Sequence, residues 1–152
     1  MGQKLQEVLL QIRAAAAGPE DDQLFMAAEA GECLERALAD PVELTKTSLR
    51  FAEVAHELGC SRVYGASDLG QRLAGAAIAL SGNGLKDHTA GMDGQAVLIV
   101  DGLLVTGTQV ASAARKARRD GAASVCAAVV ASFEPDFTRL KQFADQVIVL
   151  EG

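Results

Sequence analysis

One string of this 152-residue chain combines residue types suited to phosphate and sugar chemistry: Val97-Leu98-Ile99-Val100-Asp101-Gly102-Leu103-Leu104-Val105-Thr106-Gly107-Thr108-Gln109. Four apolar residues read as a buried strand, an acid stands at its tip, and a Thr-Gly-Thr turn then enters a helix. Amides at a helix start point outward with partial positive charge, so Val105, Thr106, Gly107, Thr108 and Gln109 are candidates to hold a phosphate. Gly107 lets a phosphate approach the backbone, and Thr106 and Thr108 add hydroxyl donors. Asp101 is then placed to accept from sugar hydroxyls. A purely structural reading covers part of the string, with Asp101 and Thr106 as helix caps and Gly107 as a turn residue.

A second candidate is Gly65-Ala66-Ser67-Asp68-Leu69-Gly70, between another expected strand and its helix, where small residues allow backbone amides to face a ligand. A plain turn capped by Ser67 or Asp68 explains the same residues. Lys86 and His88 lie in a short irregular connection, where a ligand role competes with ordinary loop exposure. His56 and the basic run Arg115-Lys116-Ala117-Arg118-Arg119 fall near the C-terminal ends of expected helices, where positive charge offsets the helix dipole. Phe133 follows an expected strand, and packing in the core accounts for it.

The elements that must position these residues divide the chain in two. Over residues 1–58, Leu5, Val8, Leu9 and Ile12 recur at helical spacing until Gly18-Pro19. A second helical pattern uses Leu24, Ala27, Ala28, Leu34 and Leu38, and a third, opened by Asp40-Pro41 with Glu43 at capping-box spacing, carries Leu44, Phe51, Ala55 and Leu58 up to Gly59. From residue 62 to 150 short apolar runs predict strands at Arg62–Gly65, Ala96–Val100, Ser124–Val130 and Gln146–Leu150. Helical segments at about 70–80, 108–119 and 136–143 alternate with them, the pattern of a parallel sheet covered on both faces. The prediction is one domain over 1–152, a doubly wound α/β fold with an N-terminal helical segment. The stretch from Ser81-Gly82-Asn83-Gly84 through Gly94 is its one long irregular connection. In such a sheet, ligands bind beyond the carboxyl ends of the strands, which is where both candidate turns fall.

Composition narrows the function classes. With 14 basic against 20 acidic residues the net charge is −6, which repels nucleic-acid backbones, and with 4% aromatic residues and no Trp there are few rings on which to stack bases. No apolar stretch reaches the roughly 18 residues of a membrane span, so neither a nucleic acid nor a membrane is expected as partner. Cys33, Cys60 and Cys126 form no CxxC pair and read as reduced core thiols of a cytoplasmic protein. No strand is followed by GxGxxG, which disfavours a dinucleotide-binding domain. The apolar stripe of the first helix has little sequence nearby to cover it, which predicts a homodimer.

On the strand, the acid and the Thr-Gly-Thr turn, the sequence resembles the type I phosphoribosyltransferases, and the resemblance extends over residues 62–150. Asp101 matches the first of that family's paired acids, Leu103 and Leu104 its apolar pair, and Thr106, Gly107 and Thr108 the end of its 5′-phosphate loop. Asp93-Gly94-Gln95 is similar to the turn leading into this strand, and Ala144-Asp145-Gln146-Val147-Ile148-Val149 to the family's last core strand. The resemblance implies the family's doubly wound fold and a phosphorylated ribose or nucleotide as ligand. It makes Asp101 the catalytic acid, Ala66, Ser67, Asp68, Leu69 and Gly70 the pyrophosphate loop, and Lys86 and His88 the remnant of a catalytic lid.

Three departures bear on activity. The second acid is Gly102, Asp68 sets a carboxylate beside the expected diphosphate, and only about Ser81 to Gln95 is available for a lid. These favour a phosphoribosyltransferase-like binder, taking a phosphoribosyl compound or nucleoside 5′-monophosphate with catalysis weak or lost. The alternative is an active glycosyltransferase moving phosphoribose from phosphoribosyl pyrophosphate (PRPP) to orotate or a purine or pyrimidine base. Mg²⁺ on the diphosphate would be required only for the active enzyme; no protein metal site is expected.

Overall fold

The near-continuous apolar runs become strands buried on both faces, and each strand divides its side chains between two apolar layers. The computed structural model describes residues 3–16, 20–82, 84–133, 137 and 140–150, with the side chains at 3, 4 and 20–26 outside that description. Three helices come first: α1 (Gln3–Ala16), α2 (Glu20–Leu38) and α3 (Pro41–Glu57). The core follows as β1 (Arg62–Gly65), α4 (Asp68–Leu80), β2 (Lys86–Asp87), β3 (Ala96–Leu104), α5 (Thr108–Arg119), β4 (Ser124–Ser132) and β5 (Gln146–Val149). The strands form one sheet in the order β2-β1-β3-β4-β5, and every pairing is parallel.

Leu98 and Val100 of β3, with Cys126, Ala128 and Val130 of β4, face α1, α2, α3 and α4. Val97, Ile99, Val125, Ala127 and Val129 face α5 and the 3-10 turn at Leu140–Gln142. Helices on both faces of a parallel sheet make the fold doubly wound, as expected. The caps also follow the sequence. The Asp40 carboxylate accepts from the Val42 amide at 3.0 Å, Pro41 opens α3, and Gly59 leaves it at φ 71°.

Several boundaries differ from expectation. Strand β3 runs on to Leu104, so Asp101 lies inside the strand and the turn comes after Leu104 rather than after Val100. Asp and Gly are poor strand formers, but pairing with β4 continues through Asp101↔Val129 and Leu103↔Ala131 and overrides that preference. Strand β4 likewise extends to Ser132. The expected connection from 81 to 95 holds a two-residue strand, β2, followed by a 3-10 turn at His88–Ala90. Of the helix expected over 136–143, the described residues show only Leu140–Gln142. Gly18-Pro19, the Leu24 side chain, Asn83 and residues 136, 138 and 139 lie outside the described residues.

Leu5, Val8, Leu9 and Ile12 are buried within the chain, where α1 packs on α2 and β4. The stripe from which a homodimer was expected is therefore covered internally. No described helix is long and apolar enough to cross a membrane.

Candidate functional site

The sheet order fixes where a crevice must open. From β1 the chain leaves toward β2 on one side, and from β3 toward β4 on the other, so β1 and β3 flank the switch point at which ligands bind in this class of fold. Pairing of β1 with β3 ends at Gly65↔Val100, and Asp101 is the first β3 residue beyond it. The Ala66 amide still donates to the Val100 carbonyl at 2.9 Å, which keeps the loop after β1 against β3.

Ser67 ties the two candidate turns together. Its hydroxyl donates to Asp101 Oδ1 at 2.5 Å and accepts from the Gly70 amide at 3.0 Å as the N-cap of α4. The cap reading of Ser67 therefore holds, alongside its contact with the acid. Asp101 is 5% exposed, and the same Oδ1 accepts from the Gly102 amide at 2.8 Å. Burial pushes its carboxyl above the ordinary value, and the Ser67 and Gly102 donors offset part of that rise. Gly70 is required by the close approach of α4, since a Cβ there would meet the Val100 carbonyl oxygen at 2.5 Å. The first turn of α4 brings Leu69 into the core, at the wall of the cleft described below, and leaves Asp68 exposed.

The Thr-Gly-Thr turn leads straight into α5. Gly107 is the N-cap of α5 at φ 76°, a left-handed conformation that glycine adopts without penalty, and its helix has no side-chain cap. Thr106 Oγ1 lies 3.0 Å from Thr108 Oγ1 and accepts only a long bond, 3.4 Å, from the Thr108 amide. Both threonines are exposed. Asp101 does not cap this helix; its partners are Ser67 and Gly102.

A cleft of about 310 Å³ reaches Ser67 and the flanks of the Thr-Gly-Thr turn at Val105 and Gln109, while Thr106, Gly107 and Thr108 themselves do not line it. Its floor is Ser67, Asp101, Val105 and Gln109, and its roof is one side of α2, with Ala28, Gly31, Glu32 and Glu35. Sequence reasoning missed the roof, because nothing local in α2 announces which face will lie over a strand distant in sequence. Glu32 and Glu35 are paired with Arg36 at 3.7 Å and Arg72 at 3.6 Å, and no basic residue lines the cleft among the described residues. A cavity of similar size, about 330 Å³, lies beside Cys60, His56 and Leu85, at the amino end of β1 and away from Asp101.

Lys86 and His88 do not line the cleft. Lys86 is exposed and registered with Arg62 at the start of β1. The His88 ring stacks on Tyr64, with centroids 3.9 Å apart and planes 5° apart. The segment is held to the sheet edge by that stack and by the Arg62 guanidinium, whose Nε donates to the Gly91 carbonyl at 2.7 Å. Gly102 faces the core, where an added Cβ would lie 2.4 Å from Leu69 Cδ2 and 3.4 Å from Leu34 Cδ2. Phe133 is buried in the same layer, as expected of a core residue. His56 is exposed in the last turn of α3. Cys33, Cys60 and Cys126 are all free thiols, and Cys60 and Cys126 are buried.

No protein-family model and no curated protein matches the sequence. Solved structures match the fold. A phosphoribosyltransferase from Corynebacterium diphtheriae superposes with a TM-score of 0.65 at 16% identity, over 76% of this chain and 78% of its own. A purine phosphoribosyltransferase from Pyrococcus horikoshii gives 0.53 at 15% identity, over 68% and 79%. A phosphoribosylpyrophosphate synthetase from Mycobacterium smegmatis gives 0.55 at 21% identity, where the match spans 68% of this chain but 40% of the other. The chain thus has the type I phosphoribosyltransferase fold.

Proposed function

We infer that this phosphoribosyltransferase-fold domain binds a phosphoribosyl compound or nucleoside 5′-monophosphate in the cleft between α2 and β3, with phosphoribosyl transfer weak or lost. The observation that carries the reading is the start of α5, where Gly107 turns the chain without a side-chain cap just after the strand that holds a buried acid at the switch point of the sheet. The phosphate would sit on the amides of Val105 to Gln109, with Thr106 and Thr108 as hydroxyl donors, and the ribose hydroxyls would face Asp101. Free cysteines suit a reducing, cytoplasmic setting for this activity.

Three features weigh against PRPP as an efficient substrate. Asp101 has its Oδ1 taken by two donors, and position 102 offers no second carboxylate. The cleft presents Asp101 and the arginine-paired Glu32 and Glu35, with no lining cation among the described residues, an arrangement that does not favour a diphosphate. The segment over 86–95 is tied to the sheet edge, away from the cleft, which leaves little to exclude water from a cationic sugar. Mg²⁺ would need carboxylate ligands or a bound diphosphate. The single, already hydrogen-bonded Asp101 does not make such a site, and no cluster of metal-ligating side chains occurs among the described residues.

The alternative, an active PRPP-dependent transferase, is separated by one assay. The protein is incubated with Mg²⁺, PRPP and each of orotate, uracil, adenine, guanine and hypoxanthine. Weak or absent turnover is expected, and ordinary turnover on any base contradicts the reading. A homodimer must use surface other than the α1 stripe; Leu10, Val42, Leu49 and Leu80 are the exposed large apolar residues among those described.

A further inference from the structure

On the opposite face of the sheet, the second half of α5 and the turn at 140–143 border an open cleft of about 600 Å³ lined by Ser112, Arg115, Arg118, Arg119, Gln142 and Phe143. That volume is in the range of small-molecule sites, about 300–1,000 Å³. Three arginines converge here in a chain whose net charge is −6. Dipole compensation at the end of α5 accounts for some of the basic run but not for this arrangement. Lys116 pairs with Asp120 at 3.6 Å, outside the cleft. Arg118 is a fixture of the wall: its Nε donates to the Phe143 carbonyl at 3.0 Å and its Nη2 to Asp145 Oδ1 at 2.9 Å. Asp145 is fixed in turn, accepting through Oδ2 from the Val125 amide at 3.0 Å.

Arg115 and Arg119 are different. The Arg115 guanidinium lies over the Phe143 ring, 5.3 Å from its centroid, which holds the planar group in place without neutralising it. Neither arginine has an acidic partner among the described residues. Ser112 and Gln142 add polar hydrogen-bonding groups, and Phe143 adds an apolar wall. Guanidinium groups offer paired donors that match phosphate oxygens, so two unneutralised ones in one cleft favour a dianion or polyanion.

We propose that this cleft is a second ligand site, which binds a multiply charged phosphorylated small molecule through Arg115 and Arg119. The site is separate from the start of α5 and does not depend on how that turn is used. An acidic protein surface is the competing occupant, but a concave site of this volume with an aromatic wall fits a small molecule better.

The test is an NMR titration of the ¹⁵N-labelled protein with inorganic triphosphate, and separately with ATP, at physiological salt. Saturable shifts of the Arg115 and Arg119 Nε–Hε resonances are expected. Affinity should fall at least about tenfold in the Arg115→Gln/Arg119→Gln variant, the loss expected for charge-assisted hydrogen bonds. Arg119→Gln alone provides a second variant that leaves the Phe143 contact intact, and it should also weaken binding. Thr106→Ala should leave these shifts unchanged. Shifts confined to the Gly107 region, or a binding midpoint, followed in the variants on the Gln142 and Phe143 backbone amides, that is unaltered in both, would overturn the proposal. The Gly107 amide reports separately on the phosphate turn.

Discussion

The Ser67 hydroxyl donates to Asp101 Oδ1 at 2.5 Å while accepting from the Gly70 amide, so one side chain both caps α4 and holds the acid at the end of the β1–β3 pairing. This contact couples helix stability to the charge state of the site.

Replacing Ser67 with Ala removes the cap and one of the two donors to the carboxylate. Caps are worth about 0.5–2 kcal/mol, and the loss here should reach about 1–2 kcal/mol at neutral pH. Urea denaturation measures it, and an unchanged midpoint would contradict the assigned role.

Asp101 has a folded-state pKa raised above its ordinary 3.8 by burial. A raised carboxyl contributes stability in its protonated form, and that contribution is lost as pH rises through the folded value. Asp101→Asn retains an acceptor for both donors and removes the charge. The stability of the variant relative to wild type should therefore rise as pH climbs from the ordinary carboxyl value of 3.8 through the higher folded one. A relative stability that falls over that window would mean that the ionised acid is favoured in the fold.

Gly102→Asp restores the second acid that the resemblance leads one to expect, but the structure offers it no room. The new Cβ would press on Leu69 Cδ2 at 2.4 Å and direct a carboxylate toward Leu34. Overpacking of this kind costs about 1–3 kcal/mol, and a buried unpaired charge adds to it. A lower thermal midpoint with no gain in phosphoribosyl transfer is expected. Wild-type stability with new turnover would show that the strand can present both acids.

A homodimer through exposed apolar residues such as Leu10 predicts a dimer by sedimentation at micromolar protein, which Leu10→Lys weakens. A monomer would contradict the homodimer and leave the binding site as described.

The sequence was most informative where both faces of an element are buried. The runs Val97–Val100 and Val125–Val130 each supply alternate residues to two layers, so they could be read as strands of a covered parallel sheet. The turn at Thr106-Gly107-Thr108 was legible because its chemistry is local: a left-handed Gly opens a helix whose first turn has no side-chain cap. The place of Asp101 within β3 was not, because pairing with β4 overrides the local preferences of Asp and Gly. Strand β2 escaped notice because two residues, Lys86 and Asp87, carry no alternation. The roof of the cleft depends on how α2 crosses β3, where Gly31 comes near Leu103, and that is tertiary information.

The central claim, a phosphate site on the amides at the start of α5, is tested most directly by titrating the ¹⁵N-labelled protein with a nucleoside 5′-monophosphate and with the matching nucleoside. The account predicts saturable shifts of the Gly107, Thr108 and Gln109 amides with the monophosphate only. They should be lost in Gly107→Ala, where a φ of 76° strains any other residue and the added Cβ comes within 3.3 Å of Leu140 Cδ2. Amide shifts that are absent, or that are equal for the nucleoside without its phosphate, would contradict it.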